Sequence, residues 1–182
     1  MKTDHFTTNE RMSPPEAHSS GLRPNMQVHF DSITVEWETP RELFRALDRE
    51  FGFTLDPCST HENAKCPKHF TCAEDGLAQD WSRDIVWMNP PYGREIGKWM
   101  KKAFDSSLAG ATVVCLVPAR TDTRWWHDYA VRGKVRFLKG RVKFGKATTG
   151  APFPSALVIF RKSPKPLAAR PERNQLEFGW VS

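Results

Sequence analysis

At 182 residues the chain has the length of one domain, and a domain of this size buries roughly two thirds of the surface that its unfolded form exposes. No apolar run approaches the ~20 residues of a membrane span, and the opening MKTDHFTTNERMSPPEAHSS lacks the basic-then-apolar order of a signal peptide, so a soluble, cytosolic protein with no membrane partner is expected. The net charge of +6 is spread unevenly: residues 29–93 carry twelve acids against six bases, net −6, whereas residues 94–146 carry thirteen bases against four acids, net +9.

Residues 1–28 are rich in Pro, Ser, Thr and Asn without apolar periodicity and read as a flexible arm, and residues 163–182 open on a similar proline-containing stretch and read as a tail. A single domain is expected between them, over 29–162. Its first helix signal is Thr39-Pro40-Arg41-Glu42, a Thr N-cap with Pro at the first helical position and Glu completing a capping box. Leu43, Phe44, Leu47 and Phe51 follow on one face and Gly52 supplies the stop, which predicts a helix over 40–51.

Phe53-Thr54-Leu55 predicts a short strand that ends at Asp56-Pro57, because proline cannot donate to a sheet ladder. Asp84 to Met88 runs in the same way into Asn89-Pro90-Pro91. Further strands are predicted at Ala111 to Val117, ending at Pro118, at Lys134 to Leu138 and at Ser155 to Arg161, with helices at Arg94 to Leu108 and Asp122 to Arg132. Alternation of this kind gives an α/β domain with a largely parallel sheet, and such sheets bind ligands beyond the carboxyl ends of their strands. Asp56-Pro57, Asn89-Pro90-Pro91-Tyr92 and Pro118-Ala119-Arg120 are therefore expected to share one rim.

The 4 cysteines, Cys58, Cys66, Cys72 and Cys115, are expected to be reduced. Three of them lie near His61 and His69, but no CxxC pair is present and no metal is expected. In the basic stretch, Lys and Arg alternate with Trp99, Trp125, Trp126, Tyr129, Phe137 and Phe144, a mixture suited to phosphate contacts and base stacking. A solvated face is the plain alternative. Nucleic acid is the favoured partner.

Asn89-Pro90-Pro91-Tyr92 offers a specific chemistry. The exocyclic amine of adenine is a poor nucleophile because its lone pair is delocalised into the ring, and two acceptors aimed at its two hydrogens draw the pair back toward nitrogen. Asn89 brings a side-chain carbonyl and Pro90 a backbone carbonyl. Pro91 stiffens the turn, and Tyr92 offers a flat face for a purine. Positioning and electrostatics would supply the catalysis, with no metal or strong base. An amine inside a duplex is out of reach, so the base must swing out into a pocket at a cost of a few kcal/mol.

Taken in order, Trp37-x-Thr39-Pro40, Leu55-Asp56-Pro57, Asp75-Gly76-Leu77, Asp80-Trp81, Asn89-Pro90-Pro91-Tyr92 and Pro118 to Thr123 resemble the phage-type DNA N-6-adenine methyltransferase (Dam) family over about residues 34–162. The resemblance implies a Rossmann-like, S-adenosylmethionine-dependent methyltransferase fold with a compact sheet, in the cytoplasm of a bacterial or phage-infected cell. It implies double-stranded DNA as substrate and S-adenosylmethionine as cofactor, held by Trp37, Thr39, Pro40, Asp56, Pro57 and Asp75. Trp37, Thr39 and Pro40 would lie near the methionine end, Asp56 would accept from the ammonium or the sugar, and Asp75 from the ribose or the adenine edge. The plainer alternatives are a turn acid or helix cap for Asp56 and Asp75, and a core side chain for Trp37.

The sequence departs from the dinucleotide-binding pattern in having no Gly-x-Gly turn; Asp56-Pro57-Cys58-Ser59 stands in its place. Some thirty residues separate Asp56 from Asn89, so the strands usual between them must be shortened or missing. No stretch is long enough for a separate target-recognition domain, which leaves DNA contacts to Arg120 and Arg124 and to Arg141 and Lys143 in the 139–154 loop; that loop reads equally as a plain hairpin. Trp125-Trp126-His127 reads better as helix packing than as a base wedge. Three other functions share these features: methylation of RNA, methylation of protein glutamine, and DNA binding without catalysis.

Overall fold

The structure, a computed structural model, describes residues 37–161. The arm 1–28 and the tail 163–182 expected from sequence lie outside the described residues. Helix α1 (Arg41–Phe51) turns Leu47 and Phe51 inward and ends at Gly52, whose φ of 68° lets its N–H reach Asp48 O at 2.7 Å. Its start differs from the sequence expectation. Pro40 takes the extended conformation (ψ 135°) and Thr39 makes no capping bond, so the box predicted at Thr39 and Glu42 does not form. Thr39 is buried instead, and the first turn closes through Phe44 N–H to Pro40 O. A capping box does form at Thr71 and Glu74, ahead of a 3-10 turn.

Six strands form one sheet: β1 (Leu55–Asp56), β2 (Lys68–His69), β3 (Ile85–Met88), β4 (Thr112–Pro118), β5 (Lys134–Phe137) and β6 (Ser155–Phe160), in the spatial order β2-β1-β3-β4-β6-β5. The first four strands are parallel, and β6 runs antiparallel between β4 and β5. Each strand end expected from a proline, at Asp56, Met88 and Val117, is found within one residue. β2 was not expected, because two residues with no apolar alternation carry no sequence signal; it exists by pairing with β1, after which Phe70 N–H bonds Asp56 O. It is also the only strand between β1 and β3 among the described residues, as the short spacing required.

The sheet is covered on both faces. Along β4, Val113, Cys115 and Val117 turn to a core with Trp81, Trp99, Met100 and Trp126, while Val114 and Leu116 turn to a second core with Leu47, Phe51, Trp87 and Phe144. Helix α2 (Ile96–Ala109) and the short α3 (Arg124–Asp128) belong to the first face and α1 to the second. The second half of the helix expected over 122–132 is a 3-10 turn at Ala130–Arg132.

Among the aromatic side chains of the basic stretch, the packing expected of Trp125 and Trp126 is found, whereas Trp99 and Phe144 do not form the expected stacking surface. Trp99, Trp125, Trp126 and Phe144 are buried in the two cores, and of the six only Phe137 is exposed, at 68%. Large rings gain most from complete removal from water, so here they build the interior and leave the charges outside.

Candidate active site

Three parallel strands bring the motif residues together. Leu55 of β1 is level with Val86 of β3, and Met88 of β3 with Cys115 of β4, so the ends of β1 and β3 lie side by side and β4 runs on to Pro118 at the same edge. The chain leaves β1 toward β2 on one side and returns at β3 on the other. Between β1 and β3 the connections therefore diverge, which opens a crevice at the strand ends. There lies a cleft, open to solvent and lined by Trp37, Glu38, Thr39, Asp56, Cys58, Ser59, Asn63, Lys65, Trp87, Asn89 and Pro90.

Of the residues expected to hold a cofactor, Trp37, Thr39 and Asp56 line this cleft. Pro40 and Pro57 stand one residue behind Thr39 and Asp56. Asp75 does not line it: it sits on an exposed turn at φ 50°, with its carboxylate accepting Leu77 N–H at 3.1 Å. The Asp75-Gly76-Leu77 and Asp80-Trp81 motifs instead prop the loop after β1. A Cβ on Gly76 would lie 2.0 Å from Pro57 O, so only glycine allows this close approach. Gly76 O in turn accepts the indole N–H of the fully buried Trp81 at 3.0 Å.

Asp56 is buried, and its two oxygens accept the backbone N–H groups of Lys65 at 3.0 Å and Cys58 at 3.5 Å. Burial pushes its pKa from 3.8 up to about 6, against the lowering influence of those two N–H groups and of the Lys65 charge. Its clearest task is to close the 57–65 loop over the cleft. That loop delivers residues which sequence reading did not single out: Ser59, Asn63 and Lys65. The Lys65 ammonium meets Glu38 Oε1 at 2.8 Å, and both side chains line the cleft. Nothing local marks this pair, because its members are 27 positions apart.

At the end of β3 the Asn89 amide is oriented on both sides. Nδ2 donates to Trp37 O at 2.7 Å, and Oδ1 accepts the Tyr92 hydroxyl at 2.7 Å. The Trp37 carbonyl can face only the amide's N–H side, so Oδ1 is fixed as the acceptor and keeps one lone pair beyond Tyr92. The Tyr92 hydroxyl also reaches Leu116 O at 3.2 Å, and burial holds its pKa well above 10. Its ring is half-buried, stacked at 5.9 Å on Trp37 and set edge-on to Phe144 and Phe153. Pro90 and Pro91 are buried, and no helix claims the Pro90 carbonyl, since α2 starts only at Ile96.

The basic loops reach the same edge. Ala119 N–H bonds Pro154 O at 2.8 Å, and Gly145 N–H bonds Glu38 O at 2.7 Å, so the 139–154 segment packs between the end of β4 and residues 37–40, which lead into α1. Arg120, Arg124, Arg141 and Lys143 are all exposed around it.

No helix among the described residues is long and apolar enough to cross a membrane. A family model described as DNA N-6-adenine-methyltransferase (Dam) matches residues 30–176. A DNA N-6-adenine-methyltransferase of Escherichia phage T1 is 27% identical over 157 residues, covering 72% of this chain and 65% of the phage protein. One of Haemophilus phage HP1 (strain HP1c1) is 31% identical over 134 residues, covering 68% of this chain and 77% of that protein. The matched region includes both the cleft and the Asn89 turn, and the chain belongs to the DNA N-6-adenine-methyltransferase (Dam) family.

Proposed function

We propose that this protein transfers a methyl group from S-adenosylmethionine to the N6 amine of an adenine swung out of double-stranded DNA. The observation that carries the reading is the oriented Asn89 amide, at the carboxyl end of β3 and on the wall of the switch-point cleft. The strand order around that cleft follows the doubly wound rule, which supports a Rossmann-like methyltransferase fold. Bound S-adenosylmethionine would supply an electrophilic methyl group next to the base.

The protein's own groups do the rest. Asn89 Oδ1 and the Pro90 carbonyl accept the two amino hydrogens and concentrate the lone pair on nitrogen. Tyr92 provides the ring on which the purine stacks, which offsets roughly 1 to 3 kcal/mol of the unstacking cost. Its neighbour Trp37 would have to yield part of its stacking contact as the base enters. The cofactor fits the chemistry of the cleft, which combines a buried carboxyl, an ion pair and indole walls with Ser59 Oγ, a buried hydroxyl that has no hydrogen-bond partner among the described residues. Arg120, Arg124, Arg141 and Lys143 would neutralise backbone phosphates beside the pocket. The working domain is 29–162, in the cytoplasm of a bacterial or phage-infected cell.

Incubation with cofactor labelled on the methyl group and with duplex DNA, RNA or protein tests the proposal. Label in DNA, recovered as N6-methyladenine, is the expected result, and label confined to RNA or protein would overturn it. A DNA-binding module without catalysis would show no heat on titration with S-adenosylmethionine, whereas saturable binding is expected.

A further inference from the structure

The cofactor proposed above carries a zwitterionic amino-acid head two methylenes from its sulfonium. If its methyl group is to reach an amine held at Asn89, that head would lie in the same cleft and would need one positive and one negative counter-charge there. Two acidic side chains, Glu38 and Asp56, and one basic side chain, Lys65, line the cleft. Asp56 is poorly suited to the ammonium, because both its oxygens already accept backbone N–H groups and burial disfavours its charge. Glu38 and Lys65 remain. They hold each other at 2.8 Å, with side chains 35% and 12% exposed.

Resting on that reading of the cofactor, we infer that the Glu38–Lys65 pair is the receptor for the amino-acid head, with Lys65 taking its carboxylate and Glu38 its ammonium. The two protein charges satisfy each other while the cleft is free and exchange partners when the zwitterionic head enters, so the head itself adds no net charge and leaves neither protein charge stranded. Ser59 is an independent sign of a ligand at this place: 3% exposed, lining the cleft, with its hydroxyl unpartnered among the described residues and able to bond a carboxylate. The placement also explains why the 57–65 loop is closed so firmly. The hydrogen bond from Lys65 N–H to Asp56 sets where the Lys65 side chain starts, and the bond from Gly145 N–H to Glu38 O does the same for Glu38.

Calorimetric titration of the full chain with two ligands tests the assignment: S-adenosylhomocysteine, which has the zwitterionic head, and 5′-methylthioadenosine, which lacks it. Glu38→Gln and Lys65→Met are each expected to weaken S-adenosylhomocysteine binding roughly 10- to 100-fold, the range for one charge-assisted hydrogen bond, and to leave 5′-methylthioadenosine binding unchanged. Equal weakening of both ligands, or no weakening of either, overturns the inference while the proposed methyltransferase reading stands. Wild-type protein that binds neither ligand would overturn both. If Lys65→Met fails to fold, as its thermal melt would reveal, the half-exposed Glu38→Gln variant decides the matter alone.

Discussion

The two halves of the sheet differ in construction and in charge. The β2-β1-β3 half is parallel, is built from the acidic part of the sequence and carries the cleft; the β4-β6-β5 half contains the antiparallel strands and the basic loops. In the first half nearly every polar side chain at the strand ends is tied: Asn89 to Trp37 and Tyr92, Asp56 to the 57–65 loop, Lys65 to Glu38. In the second, Arg120, Arg124, Arg141 and Lys143 are exposed. The contrast fits a division of labour. Chemistry on a small group needs fixed dipoles, whereas phosphate neutralisation works through mobile charges in water.

Substitutions can break this comparison on either side. The largest effect is expected for Asn89→Ala, with methyl transfer falling roughly 10²- to 10³-fold by loss of one preorganised acceptor. Cofactor affinity and the salt dependence of DNA binding should stay nearly unchanged; single-turnover kinetics beside calorimetry would read the split, and near-normal turnover would remove Asn89 from the chemistry.

Asp56 gives an effect on stability. Its pKa in the folded protein is raised from 3.8 to about 6, so stability contributed by the neutral carboxyl is complete below about pH 4 and is lost as pH rises toward 6. The size is about 3 kcal/mol at roughly 1.4 kcal/mol per unit. Asp56→Asn is expected to abolish that stretch of the pH profile in denaturant melts; an unchanged profile would mean that Asp56 titrates as it does in water.

Tyr92→Phe keeps the ring but removes the hydroxyl that Asn89 and Leu116 share. One neutral hydrogen bond is worth about 0.5 to 1.5 kcal/mol, so transfer should fall roughly 2- to 10-fold, far less than for Tyr92→Ala. Equal losses in the two variants would show that the hydroxyl, not the ring, is the working part.

The smallest effect per residue belongs to the basic half. Arg141→Ala and Lys143→Ala should each flatten the salt dependence of DNA binding by about one charge, without altering cofactor titrations. A change in cofactor affinity would mean that the two halves are not separate in function.

Much of this was legible in advance for a local reason. Pro57, Pro90 and Pro118 end strands, and Gly52 ends a helix, through constraints on their own backbone, so boundaries and the shared rim could be read residue by residue. Strand β2 was hidden because it has no pattern of its own. The capping box at Thr39 was misread because a local hydrogen bond lost to burial of Thr39 in the cleft. Trp125 and Trp126 pack as their place in a helix suggested, whereas Trp99 and Phe144, read with the basic residues as a stacking mixture, lie in the cores, because composition alone does not say which ring finds a core.

The sequence by itself determined the alternation of strands and helices, the acidic and basic halves and the Asn-Pro-Pro-Tyr turn, since each is written within a few neighbouring residues. Only the tertiary structure decided which groups face one another. It turned the Asn89 amide against Trp37 O, withdrew Asp75 to an outer turn and joined Glu38 to Lys65 across 27 positions, because contacts between residues distant in the chain depend on how the strands order themselves and not on any local pattern.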